Sequence, residues 1–149
     1  MRGGRCSTAF ALLALLSAAC GEDGEQSTEK LSAEQASAIA TGKALVQARV
    51  CTTCHGTDLS GSAVAYPGTA VYASNLTPDT DTGLGAWSDA QLLAAVLDGV
   101  DDDGAQLCSV MPTYRAMGMS EEQAQKVVAY LRSLPAKKHA VPEKQGCTK

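Results

Sequence analysis

The chain has 149 residues, enough for one domain once the ends are set aside, and it is 45 % hydrophobic but only 4 % aromatic, so its core must be mostly aliphatic. Its formal charge is −4, and removing the N-terminal segment that holds Arg2 and Arg5 leaves 10 basic against 16 acidic residues. That sign argues against a nucleic-acid partner; it suits docking to a basic protein, or simply solubility.

The first twenty residues read as an export signal. Arg2 and Arg5 supply the positive start, and the apolar run from Ala9 to Ala19 is too short to span a bilayer but right for the core of a signal peptide. It ends at Leu16-Ser17-Ala18-Ala19-Cys20-Gly21, which resembles the lipobox of bacterial lipoproteins, although Ser17 stands where that motif favours Leu. The expectation is a chain lipidated at Cys20 and held on the periplasmic side of a bacterial envelope; the alternative is plain cleavage after Ala19, giving a soluble periplasmic protein. Residues 21–31 are polar and lack large apolar side chains, so they read as a flexible tether.

Three segments then begin alike. Ser32-Ala33-Glu34-Gln35, Ser88-Asp89-Ala90-Gln91 and Ser120-Glu121-Glu122-Gln123 all fit a capping box, in which Ser accepts an orphan backbone N–H and Gln reaches back to the cap. Each opens an apolar stripe of helical period: Ile39, Gly42 and Val46; then Leu93, Val96, Leu97 and Val100; then Ala124, Val127, Val128 and Leu131. These predict an all-α domain over 32–135, followed by a tail over 136–149. Between the helices, residues 56–86 are glycine-rich, hold Pro67 and Pro78, and show no alternation, so they read as loop. Loops this long and helices this short call for an internal ligand to fold around.

Cys51-Thr52-Thr53-Cys54-His55 supplies one. C-x-x-C-H is the covalent haem-attachment signature: two thiols add to the vinyl groups on one porphyrin edge, and the histidine is placed beneath the iron. A thioredoxin-like dithiol would need a βαβ setting, and no strand pattern precedes Cys51. A zinc site would need a second closely spaced ligand pair, whereas Cys108 and Cys147 are far apart and the only other histidine is His139, read as an exposed tail residue. For the sixth iron ligand Met111, followed by Pro112, is the best candidate; Met119 sits in a hydrophobic-staple position before Ser120, and Met117 reads as core or loop filler. A thioether ligand raises the reduction potential relative to a second histidine. The stretch Asp98 to Gly104 looks like a calcium loop, but Val110 stands where a terminal Glu is needed, so it reads as a solvated turn.

The order helix, C-x-x-C-H, long loop, helix, Met-Pro loop, final helix resembles a class I cytochrome c over residues 38–135. The resemblance implies His55 as proximal ligand, Met111 as axial methionine, and Gly42, Leu45 and Val46 at a close crossing with Tyr130 and Leu131. It also implies that the carbonyl of Pro67 orients the haem histidine. Trp87 is a candidate donor to a haem propionate, or a staple against Leu92. A narrower likeness, through Asn75-Leu76-Thr77-Pro78-Asp79, Thr82-Gly83-Leu84-Gly85, Trp87-Ser88-Asp89 and Val128 to Pro135, is to the cytochrome c subunits of membrane-bound alcohol and sugar-acid dehydrogenases. Those subunits usually carry three haem domains, and this chain has a single C-x-x-C-H.

With Cys6 leaving in the signal, Cys20 lipidated, and Cys51 and Cys54 on haem, Cys108 and Cys147 remain as a pair in an oxidising compartment. A disulfide between them would tie the tail to the loop before Met111. The expected function is single-electron transfer by one haem c with His55 and Met111 as axial ligands, without enzymatic turnover, to redox partners at the membrane such as a dehydrogenase, an oxidase or another cytochrome. Two alternatives stand beside it: an open-faced haem that binds a small gas or peroxide, and a haem subunit docked permanently on a dehydrogenase or oxidase.

Overall fold

A computed structural model describes residues 23–142, with side chains from Ser32 onward. Among them are four helices and no strand: α1 (Asp23–Ala48), α2 (Thr52–His55), α3 (Asp89–Asp98) and α4 (Glu121–Ser133). This is the all-α arrangement that the sequence resemblance implies. None of these helices is long and apolar enough to cross a membrane. Residues 1–22, with the expected signal and Cys20, and 143–149, with Cys147, lie outside the described range.

Helix α1 corrects one expectation. It starts at Asp23, so Ser32 lies inside it rather than at its cap, and residues 23–31, read as tether, are helical. Polarity alone suggests disorder, but Glu, Gln and Lys are good helix formers, and acidic residues suit a helix N-terminus. The other two caps are as expected. In Ser88/Gln91 and Ser120/Gln123 both halves of the box are made, the Ser side chain accepting from the Gln N–H and the Gln side chain accepting from the Ser N–H. Helix α3 stops two residues short of the end of the expected stripe. Gly99 takes a left-handed conformation (φ 68°) and ends it, leaving Val100 outside the helix.

The principal interface is α1 against α4, with α3 also on α4. Ala124, Val127, Val128 and Leu131 are all buried, as their spacing requires. Ala124, Val127 and Leu131 meet Val46, Leu97, Tyr114 and Met119 in the core, with Leu45 and Tyr130 packed against it. Gly42 makes the crossing possible: a Cβ there would stand 1.9 Å from the Lys126 carbonyl oxygen and 2.9 Å from the Tyr130 Cβ. Of the other methionines, Met119 is buried in the core, whereas Met117, read as core or loop filler, is a loop residue with 53 % exposure.

The loops are organised by hydrogen bonds. Residues 59–76 fold back on themselves through Leu76 N–H to Leu59 O (2.8 Å), Ser62 N–H to Ala73 O (3.0 Å) and Tyr66 N–H to Val71 O (2.7 Å). Asn75 and Thr77, both 1 % exposed, hold the next turn and the tail together. The Asn75 Oδ1 accepts from Thr77 N–H and Oγ1–H, while its Nδ2 donates to Thr82 Oγ1 and to Lys137 O. Gly83 is needed in that turn because a Cβ would fall 2.3 Å from the Thr77 carbonyl oxygen.

Candidate haem site

Helix α1 delivers the C-x-x-C-H segment through a sharp turn. Cys51 N–H donates to Val46 O and Val50 N–H to Gln47 O, the paired bonds of a Schellman ending, with Val50 in the left-handed position at φ 52°. The single turn of α2 follows, closed by His55 N–H to Cys51 O at 3.0 Å. Cys51 is half-buried, Cys54 is exposed, and both thiols are free. His55 is 9 % exposed, and its Nδ1–H donates to the Ser74 carbonyl at 2.8 Å. That bond leaves Nε2 as the ring nitrogen with a lone pair. Burial lowers the His55 pKa against the opposing pull of the Ser74 bond, so the ring is held neutral, the form that ligates a metal. The expected Pro67 carbonyl is therefore replaced by that of Ser74. The fold-back of the 59–76 loop brings Ser74 to the ring, a placement no local spacing announces.

Met111 lies in a turn closed by its N–H on Cys108 O (2.9 Å). The loop is fastened to the end of α3 by Tyr114 N–H to Val96 O, Arg115 N–H to Leu97 O, and a two-pronged pairing of Arg115 with Asp98 at 2.6 and 2.9 Å. On the far side Arg132 of α4 donates to the carbonyls of Leu84 (3.0 Å) and Trp87 and pairs with Asp89 (2.9 Å), fixing the strand of loop that enters α3.

These elements surround one cavity of about 700 Å³, lined by Cys51, Cys54, His55, Met111, Trp87 and Tyr114 together with aliphatic residues of the helices and the loops. Its volume falls in the range of about 300–1,000 Å³ usual for cofactor clefts. The donor set fits a covalent haem: two free thiols one helical turn apart, a neutral imidazole with Nε2 unspent, a thioether on the same cavity, and an apolar lining. Trp87 and Leu92 both line it, so the indole is available to either of its expected roles.

The cytochrome c family profile matches residues 39–135, more than half of the chain. The chain belongs to the cytochrome c family. It therefore carries haem c covalently, on the Cys51-x-x-Cys54-His55 arrangement, and works as a single-electron carrier. It is 31 % identical to the fructose dehydrogenase cytochrome subunit of Gluconobacter japonicus over 99 residues, 62 % of this chain and 20 % of the relative. To the cytochrome c subunit of the quinone alcohol dehydrogenase of Gluconacetobacter polyoxogenes it is 34 % identical over 101 residues, 64 % of this chain and 21 % of the relative. It is also 29 % identical to one of the nicotinate dehydrogenase subunits of Pseudomonas putida over 115 residues, 74 % of this chain but 10 % of that protein. The cytochrome thus spans less than a quarter of the length of these relatives.

Three parts of the site escape a reading of the sequence. Ser74 and Tyr114 come from loops whose course depends on long-range hydrogen bonds, and Arg132 reaches back across the fold from the last helix. His139, expected as an exposed tail residue, is half-buried; its Nδ1–H donates to Ser60 O at 2.8 Å and its N–H to Thr82 Oγ1 at 2.9 Å. This ties the tail to the loop after the haem motif. Cys108 is 6 % exposed and disulfide-bonded, whereas Cys51 and Cys54 are free. The Asp98–Gly104 segment is a turn in which Asp101 Oδ1 accepts from Asp103 and Ala105 N–H.

Proposed function

We propose that His55 and Met111 are the two axial ligands, and that the cytochrome shuttles electrons between partners without transforming a substrate. The observation that supports this best is the common cavity: a neutral, oriented imidazole and a thioether on a braced loop open onto the same apolar space. Haem c, when bound, supplies a one-electron Fe(II)/Fe(III) couple. The chain's part is to hold both ligands in either oxidation state, to exclude water with aliphatic side chains, and to keep Nδ1 of His55 committed to Ser74. With both faces ligated no coordination position is left for a substrate.

The partners we propose are dehydrogenases or other redox proteins at a bacterial membrane. The relatives are cytochrome or other subunits of bacterial dehydrogenases, and the acidic balance of this chain suits a basic docking face. Lipidation at Cys20 would keep the cytochrome near such donors and raise their effective concentration. Pairing of Cys108 with Cys147 would brace the Met111 turn from the tail.

The optical spectrum of the matured protein beside Met111→Ala tests the ligation. Low-spin haem with a weak far-red thioether band in the parent, lost in the variant, is the expected result. High-spin haem in the parent, or ready carbon monoxide binding, overturns the closed site and turns the assignment toward gas or peroxide chemistry.

A further inference from the structure

Tyr114 is a buried titratable group that the haem ligands leave unexplained. It is 5 % exposed and its main chain is fastened at both ends, the N–H to Val96 O at 3.2 Å and the carbonyl to Met119 N–H at 2.9 Å. The side chain reaches the cavity from this fixed base, and its hydroxyl lies 3.7 Å from Cys51 Sγ. The two cysteines of the motif are thus unlike each other: Cys51 is half-buried against a phenol, while Cys54 is exposed. Burial raises the pKa of Cys51 and also that of Tyr114, so both keep their protons at neutral pH.

We infer that Tyr114 is a positioning residue for haem attachment, its hydroxyl seating the Cys51 sulfur toward the cavity. The inference rests on the haem-binding reading of the motif. In the attachment step the Cys51 S–H adds across a vinyl C=C. Sulfur bonds to the carbon next to the ring, the proton ends on the terminal carbon, the π bond is lost, and no net oxidation occurs. The thioether sulfur still accepts a hydrogen bond, so Tyr114 continues to hold it afterwards. Cys54, also on the cavity, is exposed and has no such side-chain brace among the described residues.

The test uses the full chain matured with haem in cells, in Cys54→Ala and Cys51→Ala backgrounds, each with and without Tyr114→Phe. Covalent haem per chain is measured. When Cys51 is the sole thiol, Tyr114→Phe lowers attachment about fivefold, the weight of one hydrogen bond; when Cys54 is the sole thiol, attachment is unchanged. Equal losses in both backgrounds would assign Tyr114 a general folding role and overturn the inference, as would no loss in either. Should single-thiol chains fail to accumulate, the two-cysteine Tyr114→Phe protein is alkylated without reduction and mapped by mass spectrometry. Free Cys51 in excess over free Cys54 supports the inference, and equal amounts or none overturn it. A two-cysteine parent without covalent haem would instead overturn the haem reading itself.

Discussion

At the scale of single residues, Gly42 is the most exacting position outside the haem motif. The α1–α4 crossing is closed by backbone, not by flexible side-chain ends, since any Cβ at 42 meets the Lys126 carbonyl at 1.9 Å. Gly42→Ala forces the helices apart and is expected to destabilise the haem-loaded protein by about 1–3 kcal/mol, the usual range for overpacking. Denaturant unfolding of parent and variant, followed by haem absorbance, measures it. Because Val46 and Leu45 of the same helix line the cavity, the variant should also show a perturbed haem spectrum before it unfolds. The close approach at Gly42 came from the resemblance to cytochromes c, and the α1–α4 crossing bears it out. His55 was readable as part of the C-x-x-C-H motif. Its orienting carbonyl was not, for Ser74 is brought in by loop pairing 19 residues away.

At the scale of elements, α3 and α4 share a complete capping box at the start, and each is tied to a neighbouring segment by an arginine pair: Asp98 of α3 with Arg115 of the following loop, and Arg132 of α4 with Asp89. Ser120→Ala removes the side-chain acceptor for Gln123 N–H and is expected to cost about 1 kcal/mol, read as a lowered melting temperature with an unchanged haem spectrum. Arg132→Met should behave differently. It deletes the donors to the Leu84 and Trp87 carbonyls, both in the segment that walls the cavity, while keeping the aliphatic stem. Loss of stability together with a shifted spectrum and altered Trp87 fluorescence is therefore expected. The caps of α3 and α4 were legible because a capping box is a contiguous pattern. The start of α1 was not, because a polar segment rich in Glu, Gln and Lys reads as tether when only apolar periodicity is sought, yet these residues carry helix well.

At the scale of the whole molecule, the tail and the haem hold the loops to the helices. Lys137 pairs with Asp58 and Lys138 with Asp81 (2.7 Å), beside the Asn75, Thr77 and His139 bonds. The Lys137 ammonium and the Ser60 hydroxyl hold the Asp58 carboxyl well below its ordinary value of 3.8. A depressed carboxylate adds stability above its unfolded pKa and loses it as the pH falls through that value toward the folded one. Hydrogen exchange in residues 137–141 is therefore expected to accelerate below about pH 4, and to lose that pH step in Asp58→Asn. Haem has the larger part. Val46, Leu92, Val96, Met119, Val127 and Leu131 all line the cavity, so haem bound there would complete the apolar faces of three helices. A Cys51→Ala/Cys54→Ala chain is expected to lack a cooperative thermal transition by circular dichroism, the signature of a domain whose core is partly its ligand.

By itself the sequence determined the helical class, the caps of α3 and α4, the buried stripe of α4 and the C-x-x-C-H haem attachment. All of these are local patterns, set by spacing along one helix or one turn. Only the tertiary structure decided that Ser74 orients His55, that Tyr114 meets Cys51, that Arg132 secures the Trp87 segment and that His139 is drawn in against Ser60. Those partners lie 19 to 79 residues apart in sequence and are joined by irregular loops, whose course follows from satisfying buried hydrogen-bonding groups across the whole fold.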